Sequence, residues 1–298
     1  MKNINRRHFI KTGVLGVAGL AFGKALAIQP SNLVFNGPSI EQVKLGNTGI
    51  SIPRIGLGTG TVGYSNGSNQ TRLGMNQFVK MAQHCYDQGI RYFDMAESYG
   101  SHKYVGNAIK NFPREDVILC TKIWTHPNDS KKIQPVEVAL DRYRKDLETD
   151  YIDILLMHCL VDKGWTKSRS YYMDTLSEAK SKGILKSVGV SCHSWDALEE
   201  AVDSPWVDVI LARINPFQSH MDGTPEAING LLKRAKDNGK GIIGMKIFGE
   251  GKHIADTERE QSLNFAFKEA NIHSMTIGLE SIAQVDDLVS RAVRILKA

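Results

Sequence analysis

The chain has no long hydrophobic run. Its one glycine-rich apolar stretch, Thr12 to Gly23, is 12 residues long, short of the ~20 that a bilayer-crossing helix needs. Cysteine is scarce, with four in 298 residues. Cys85, Cys120, Cys159 and Cys192 show no C-x-x-C spacing, which excludes a disulfide scaffold and a zinc-ribbon pattern. They read as four buried thiols; Cys159 and Cys192 are the one pair that a bridge could join. No H-E-x-x-H pair or similar cluster occurs, so no metal is expected. Low-complexity tracts and linkers are also missing. Charge of one sign is confined to the start. The first 27 residues hold Lys2, Arg6, Arg7, Lys11 and Lys24 and no acid; taking those five from the 37 Lys and Arg leaves 32, matching the 32 Asp and Glu. The formal +5 therefore belongs to that segment and gives no reason to expect a nucleic-acid partner.

What is there begins with that segment. Asn5-Arg6-Arg7-His8-Phe9-Ile10-Lys11 opens it, the apolar stretch follows, and Ala25-Leu26-Ala27 closes it. A basic start, a short apolar middle and a small-residue exit compose a cleavable signal. The Arg pair followed by Phe9, Ile10 and Lys11 resembles a twin-arginine signal. Residues 1–27 are thus expected to address the protein to the twin-arginine export machinery, and 28–298 to form the mature domain in the periplasm or beyond. Export of this kind implies a protein folded before transfer, with a cofactor already inside.

Along 28–298, short β-rich runs alternate with amphipathic ones. Val43 to Ile52 carries Gly46-Asn47-Thr48-Gly49, a hairpin signal. Strands are predicted at Arg54–Leu57, Arg91–Asp94, Val117–Lys122, Ile152–His158, Ser187–Ser191, Val207–Arg213, Gly241–Lys246 and Met275–Gly278. Their mostly continuous apolar character suits strands buried on both faces. Helices are predicted at Met75–Asp87, Lys103–Lys110, Pro135–Glu148, Tyr171–Lys182, Trp195–Val202, Pro225–Asp237, Glu258–Lys268 and Ile282–Leu296. Eight such cycles imply a single α/β domain, a closed (β/α)8 TIM barrel preceded by an N-terminal β-hairpin. The rival is an open dinucleotide-binding sheet, since Gly58-Thr59-Gly60-Thr61-Val62-Gly63 fits G-x-G-x-x-G. That motif must lead straight into a helix. Here Tyr64-Ser65-Asn66-Gly67-Ser68-Asn69 follows, a loop, so the open sheet is rejected.

Chemistry in such a barrel sits where strands end. The predicted second strand ends at Asp94, with Glu97 and Tyr99 just beyond. Lys122 ends the third, His158 the fourth and Ser191 the fifth; Arg213 and Asn215 end the sixth and Lys246 the seventh. Any one of these alone is a solvated cap or a structural group. Asp94, Tyr99, Lys122 and His158 on three successive strands form a set.

Four segments resemble the aldo-keto reductase family: Tyr92-Phe93-Asp94-Met95-Ala96-Glu97-Ser98-Tyr99-Gly100, Val117 to Lys122, Tyr151 to His158, and Val188-Gly189-Val190-Ser191. The similarity extends from about Val43 to the C-terminus. With the signal, Ser191-Cys192-His193-Ser194 and Met245-Lys246-Ile247-Phe248, it looks most like an exported branch. The resemblance implies carbonyl reduction by hydride transfer from NAD(P)(H), or the reverse, on a small carbonyl or polyol. Tyr99 would be general acid or base, with its pKa lowered by Lys122; Asp94 would hold Lys122, and His158 would orient the substrate oxygen. The implied cofactor contacts are Gly58, Thr59, Ser191, Cys192, Lys246, Gly249, Gly251, Glu280, Ser281, Gln284 and Asp287.

Three positions depart from the family pattern: Cys192 replaces an Asn, Leu211 a Gln and Met245 an aromatic ring. Glu280 stands where basic residues would meet a 2′-phosphate, which leans the reading to NAD(H). Glu97, Trp165, Arg213 and Asn215 are expected to shape substrate binding. For Arg213 and Lys246 the alternative is pairing with Glu97 or Glu250; for Trp165, Trp195, Phe217 and His220 it is ordinary loop packing. The alternative function is a non-redox binding protein on the same scaffold.

Overall fold

The computed structural model describes residues 40–126 and 134–297. The signal segment, 1–27, lies outside the described residues. A two-stranded antiparallel hairpin, β1 (Gln42–Lys44) and β2 (Ser51–Pro53), comes first. Its turn uses Gly46 and Gly49 in the left-handed region, at φ +52° and +77°, where a side chain would be strained. Eight parallel strands then close a barrel: β3 (Ile55–Gly58), β4 (Tyr92–Asp94), β5 (Ile118–Trp124), β6 (Ile152–Leu160), β7 (Leu185–Cys192), β8 (Val209–Arg213), β9 (Gly241–Met245) and β10 (Ser274–Gly278), with β10 pairing both β3 and β9.

Helices separate the strands. They are α1 (Asn69–Arg72), α2 (Met75–Asp87), α3 (His102–Ile109), α4 (Val136–Leu147), α5 (Trp165–Ser168), α6 (Ser170–Ser181), α7 (Trp195–Asp203), α8 (Pro225–Asp237), α9 (Asp256–Asn264) and α10 (Ile282–Lys297). The glycines expected at helix ends, Gly89, Gly183 and Gly239, take φ of +88°, +73° and +79°, as helix-terminating residues do. Two short helices, α1 and α5, fall in segments whose sequence reads as loop. A single turn is too short to show a 3.6-residue period. The run expected as one helix over Glu258–Lys268 begins two residues earlier and widens into a π turn at Phe265–Glu269.

Two hydrophobic layers follow from the two-residue period of a strand. Phe93, Leu119, Leu155, Val190, Ile210 and Ile242 point outward and pack under the helices. Tyr92, Cys120, Ile154, Leu156, Val209, Leu211 and Ile243 point inward and fill the barrel. The hairpin supplies Leu45, Ile50 and Ile52 to that inner layer, so it plugs one end. The other end, where the parallel strands finish, stays open for polar side chains.

Candidate active site

Each buried polar group of the open end sits two residues beyond an inner-layer residue on its own strand. Asp94 follows Tyr92, Lys122 follows Cys120 and His158 follows Leu156, so all three point into the barrel. Lys122 Nζ donates to Asp94 Oδ1 at 2.7 Å, to Asp94 Oδ2 at 2.8 Å and to the Met95 carbonyl at 2.8 Å. Those three bonds use its full donor capacity. The side chain is 1% exposed. Burial alone would push its pKa down, but the Asp94 carboxylate, with Tyr99 and Cys120, holds it above the ordinary lysine range.

Tyr99 ends a single 3-10 turn, Glu97–Tyr99, directly after β4. The turn is pinned from outside: Glu97 takes hydrogen bonds from Arg142 and, at 3.0 Å, from Gln134 Nε2. The phenol ring lies on the backbone of the loop after β3. A Cβ added to Gly60 would stand 2.2 Å from the ring, and one at Gly63 2.5 Å. The glycines of the G-x-G-x-x-G stretch therefore make room for Tyr99. Lys122 Nζ is 5.1 Å from the ring centre, and the phenol oxygen is 3.5 Å from His158 Nε2. The tyrosine and histidine rings meet edge to face at 85°.

Burial raises the Tyr99 pKa and Lys122 lowers it; the burial effect is the larger, so the phenol lies above its ordinary value of 10.0. The expected lowering by the ammonium operates, but it is outweighed. Tyr99 is thus a protonated donor at neutral pH. His158 is pushed well below its usual range, first by burial and then by Lys122, His193 and His126. Its ring is neutral, and its buried Nδ1 has no partner among the described residues.

A cavity of about 460 Å³ opens over Asp94, Tyr99 and Lys122, lined also by Gly58, His193, Leu211, Met245 and Lys246 and running outward to Gly251, Glu280 and Gln284; His158 stands just behind Tyr99, outside that lining. A second cavity of about 380 Å³ shares Phe248, Ile254, Gly278 and Gln284 with it and ends on Arg259, Asp287 and Arg291. Together they form one groove from the barrel centre to α9 and α10.

The groove gathers some of the residues named from sequence and leaves others aside. Gly58, Lys246, Gly251, Glu280 and Gln284 line its inner part, and Asp287 its outer part. Lys246 is paired with Glu250 at 2.5 Å. Thr59 is buried beneath, bonding the Asp94 carbonyl at 2.8 Å and Ser101 Oγ at 2.7 Å. Ser191 and Cys192 are fully buried in β7, and the Ser191 hydroxyl has no partner among the described residues. Gly249 packs against His253 and Ser219. Ser281 accepts a bond from the Gln284 N–H at 3.2 Å and so caps α10.

The four residues expected to meet substrate are engaged elsewhere. Glu97 faces Arg142. Trp165 is fully buried in the outer layer, and its ring N–H donates to the Ala197 carbonyl at 3.2 Å. Arg213 pairs with Asp222 rather than with Glu97 or Glu250, and it also donates to the His193 carbonyl at 2.9 Å. Asn215 is fully buried and braces the next loop, donating to Ser219 O at 2.8 Å and Lys246 O at 3.1 Å. Strand ends supply inward groups only on alternate residues, and partners across loops are invisible in one dimension. His193 is a titratable cavity residue with no role expected from sequence, although it stands next to Cys192 in the Ser191–Ser194 segment. All four cysteines are free thiols, so Cys159 and Cys192 are not bridged.

Comparison with known proteins shows the family and the fold. The family model described as "Aldo/keto reductase family" matches residues 54–292. A methylglyoxal reductase, DkgA, from Escherichia coli O157:H7 is 29% identical over 222 residues, covering 70% of this chain and 72% of its own. An aldo-keto reductase of Bacillus halodurans, solved in its holo form, superposes with a TM-score of 0.66 at 17% identity, covering 87% of this chain and 95% of its own. An aldo/keto reductase of Klebsiella pneumoniae in complex with NADP and acetate gives a TM-score of 0.62 at 16% identity, with 84% and 90% covered.

Proposed function

The chain belongs to the aldo/keto reductase family, and from that membership we propose that it interconverts a small carbonyl and its alcohol with Tyr99 moving the proton. The carrying observation is the buried Lys122 ammonium, clasped by both Asp94 oxygens and 5.1 Å from the Tyr99 ring.

The groove fits a nicotinamide dinucleotide. Leu211 and Met245 offer apolar walls at its inner end. Gly251 leaves open space where a side chain would stand. Ser191, whose buried hydroxyl has no partner among the described residues, lies in register with Leu211 behind the same wall. When bound, the dinucleotide supplies or accepts the hydride. The remaining work falls to side chains. The neutral His158 orients the substrate oxygen. Tyr99 passes its phenolic proton to that oxygen as negative charge grows there. The phenolate left behind forms beside Lys122, whose attraction offsets part of the cost of charge in a buried place. Asp94 keeps the ammonium charged and fixed. In the reverse direction Tyr99 takes the proton back.

The reading favours NAD(H) over NADP(H). At the outer end Arg291 is bonded to Asp287, Asp256 and Glu260, Arg259 to Asp256 and Asp287, and Arg294 to Glu260. Three guanidiniums thus meet three carboxylates, and a 2′-phosphate would have to displace bonds already made. The proposal also assigns the protein to the periplasm, exported folded by the twin-arginine machinery with its dinucleotide bound. Its support is the Arg6-Arg7 segment at the head of an otherwise neutral chain.

One set of measurements tests the activity. Tyr99→Phe should cut reduction of 4-nitrobenzaldehyde by roughly 10²- to 10⁴-fold, while fluorescence titration shows unchanged NADH affinity and tighter binding of NADH than of NADPH in both proteins. Retained turnover in the variant would remove Tyr99 from the chemistry, and tighter NADPH binding would reverse the cofactor assignment.

A further inference from the structure

The loops after β8 and β9 and the first turn of α9 hold a second set of reactive groups, separate from Tyr99 and its partners. Ser219 Oγ lies 2.6 Å from His253 Nε2, and His253 Nδ1 lies 3.0 Å from Glu258 Oε1. The proton positions follow from the chain of bonds. The Ala255 N–H at 3.0 Å and His253 both bond Glu258, and these bonds hold its carboxyl below the ordinary range. A carboxylate only accepts, so Nδ1 carries the imidazole proton. When the ring carries only that proton, Nε2 is an acceptor and the bond to it is donated by the Ser219 hydroxyl. A hydroxyl donating to a base that is itself oriented by a carboxylate is the arrangement that activates a serine nucleophile.

The surroundings hold this arrangement in place. Phe217 stacks on the imidazole at 3.9 Å between ring centres, with 15° between the planes. Asn215 grips Ser219 at both ends, accepting from its N–H at 3.1 Å and donating to its carbonyl at 2.8 Å. The residues on either side, Gln218 and His220, take φ of +56° and +51°, a conformation disfavoured for residues with a Cβ and concentrated at functional sites. Gly249 lets the histidine come close, since a Cβ there would stand 2.6 Å from the ring. The imidazole is partly open, with 20% of its side chain exposed. Beside it Ile254, at the edge of the groove assigned to the dinucleotide, is 56% exposed and offers an apolar surface to the acyl part of an ester.

We propose that Ser219, His253 and Glu258 form a second catalytic site that hydrolyses activated carboxylic esters. Ser219 Oγ bonds to the ester carbonyl carbon while its proton moves to His253 Nε2. The carbon–oxygen bond to the alcohol breaks, and the alcohol leaves with that proton. Water then attacks the acyl-serine ester, giving a proton to His253, and the bond to Ser219 breaks. The carboxylic acid departs and Ser219 recovers its proton. The net change is ester plus water to acid plus alcohol, with no change in oxidation state.

The test uses the full chain and a fluorophosphonate probe, with p-nitrophenyl acetate as substrate. Intact mass should show one phosphonyl adduct, and peptide mapping should put it on Ser219. Ser219→Ala should abolish the adduct. His253→Gln, which keeps the serine and reports on folding by circular dichroism, should slow both adduct formation and ester hydrolysis by roughly a hundredfold or more. Tyr99→Phe should lose carbonyl reduction and keep the adduct. No adduct on Ser219, or an adduct that forms equally fast in His253→Gln, would overturn the proposal and leave the three residues as a brace between loops.

Discussion

Lys122 directs all three of its N–H donors at Asp94 and the Met95 carbonyl, with its side chain almost wholly buried at the base of the cavity. Removing one partner of a buried ion pair leaves an uncompensated charge, which costs about 3–5 kcal/mol. Lys122→Met should therefore lower unfolding stability by an amount of that order, measured by urea titration, and reduction should fall with it. A variant as stable as the parent would mean that the buried pair contributes no net stability to the fold. The same scale explains what the sequence disclosed and what it did not. Asp94, Lys122 and His158 were legible because a strand alternates and each closes an apolar run. The departure in Tyr99, raised rather than lowered in pKa, was not legible. Its cause is desolvation, in a place where the ring lies against Gly60 and Gly63 from an earlier loop.

At the scale of elements, the strands and long helices were readable from periodicity, and the loops were not. Arg213 closes β8 and Asn215 follows two residues later, yet one turns to Asp222 and the other braces the loop that carries Ser219. Nothing in the local pattern separates them, since both partners lie across turns. The loop after β3 shows the same limit. Its glycines resemble a phosphate-binding motif, but their role is close approach to an aromatic ring. Gly60→Ala should displace Tyr99, because the new methyl would stand 2.2 Å from the ring. Overpacking of this kind costs about 1–3 kcal/mol. A steady-state comparison should find a reduced kcat with little change in NADH affinity; an unchanged kcat would show that the ring can move without consequence.

The whole molecule should be sensitive to acid. Burial, followed by neighbouring cations, pushes His102 and His193 down to about 3 and holds His158 well below its usual range. An unfolded histidine titrates near 6.5. Between that value and about 3 the unfolded chain binds more protons, so the folded state loses stability as pH falls through this window. Each such group contributes a slope of about 1.4 kcal/mol per pH unit. Urea midpoints measured from pH 7 to pH 4 should fall steeply, and His102→Gln should flatten that fall; an equal slope in the variant would mean that His102 is protonated in the fold.

The central claim, that the reacting proton belongs to Tyr99, is tested most directly by the pH dependence of single-turnover reduction with NADH bound. A half-buried phenol whose pKa is held above 10.0, beside a neutral His158, predicts a rate that stays level from pH 6 to 9 and declines only beyond 10, with that decline absent in Tyr99→Phe. A rate that drops away as pH rises through 6.5 would make the imidazole the proton donor and contradict the account.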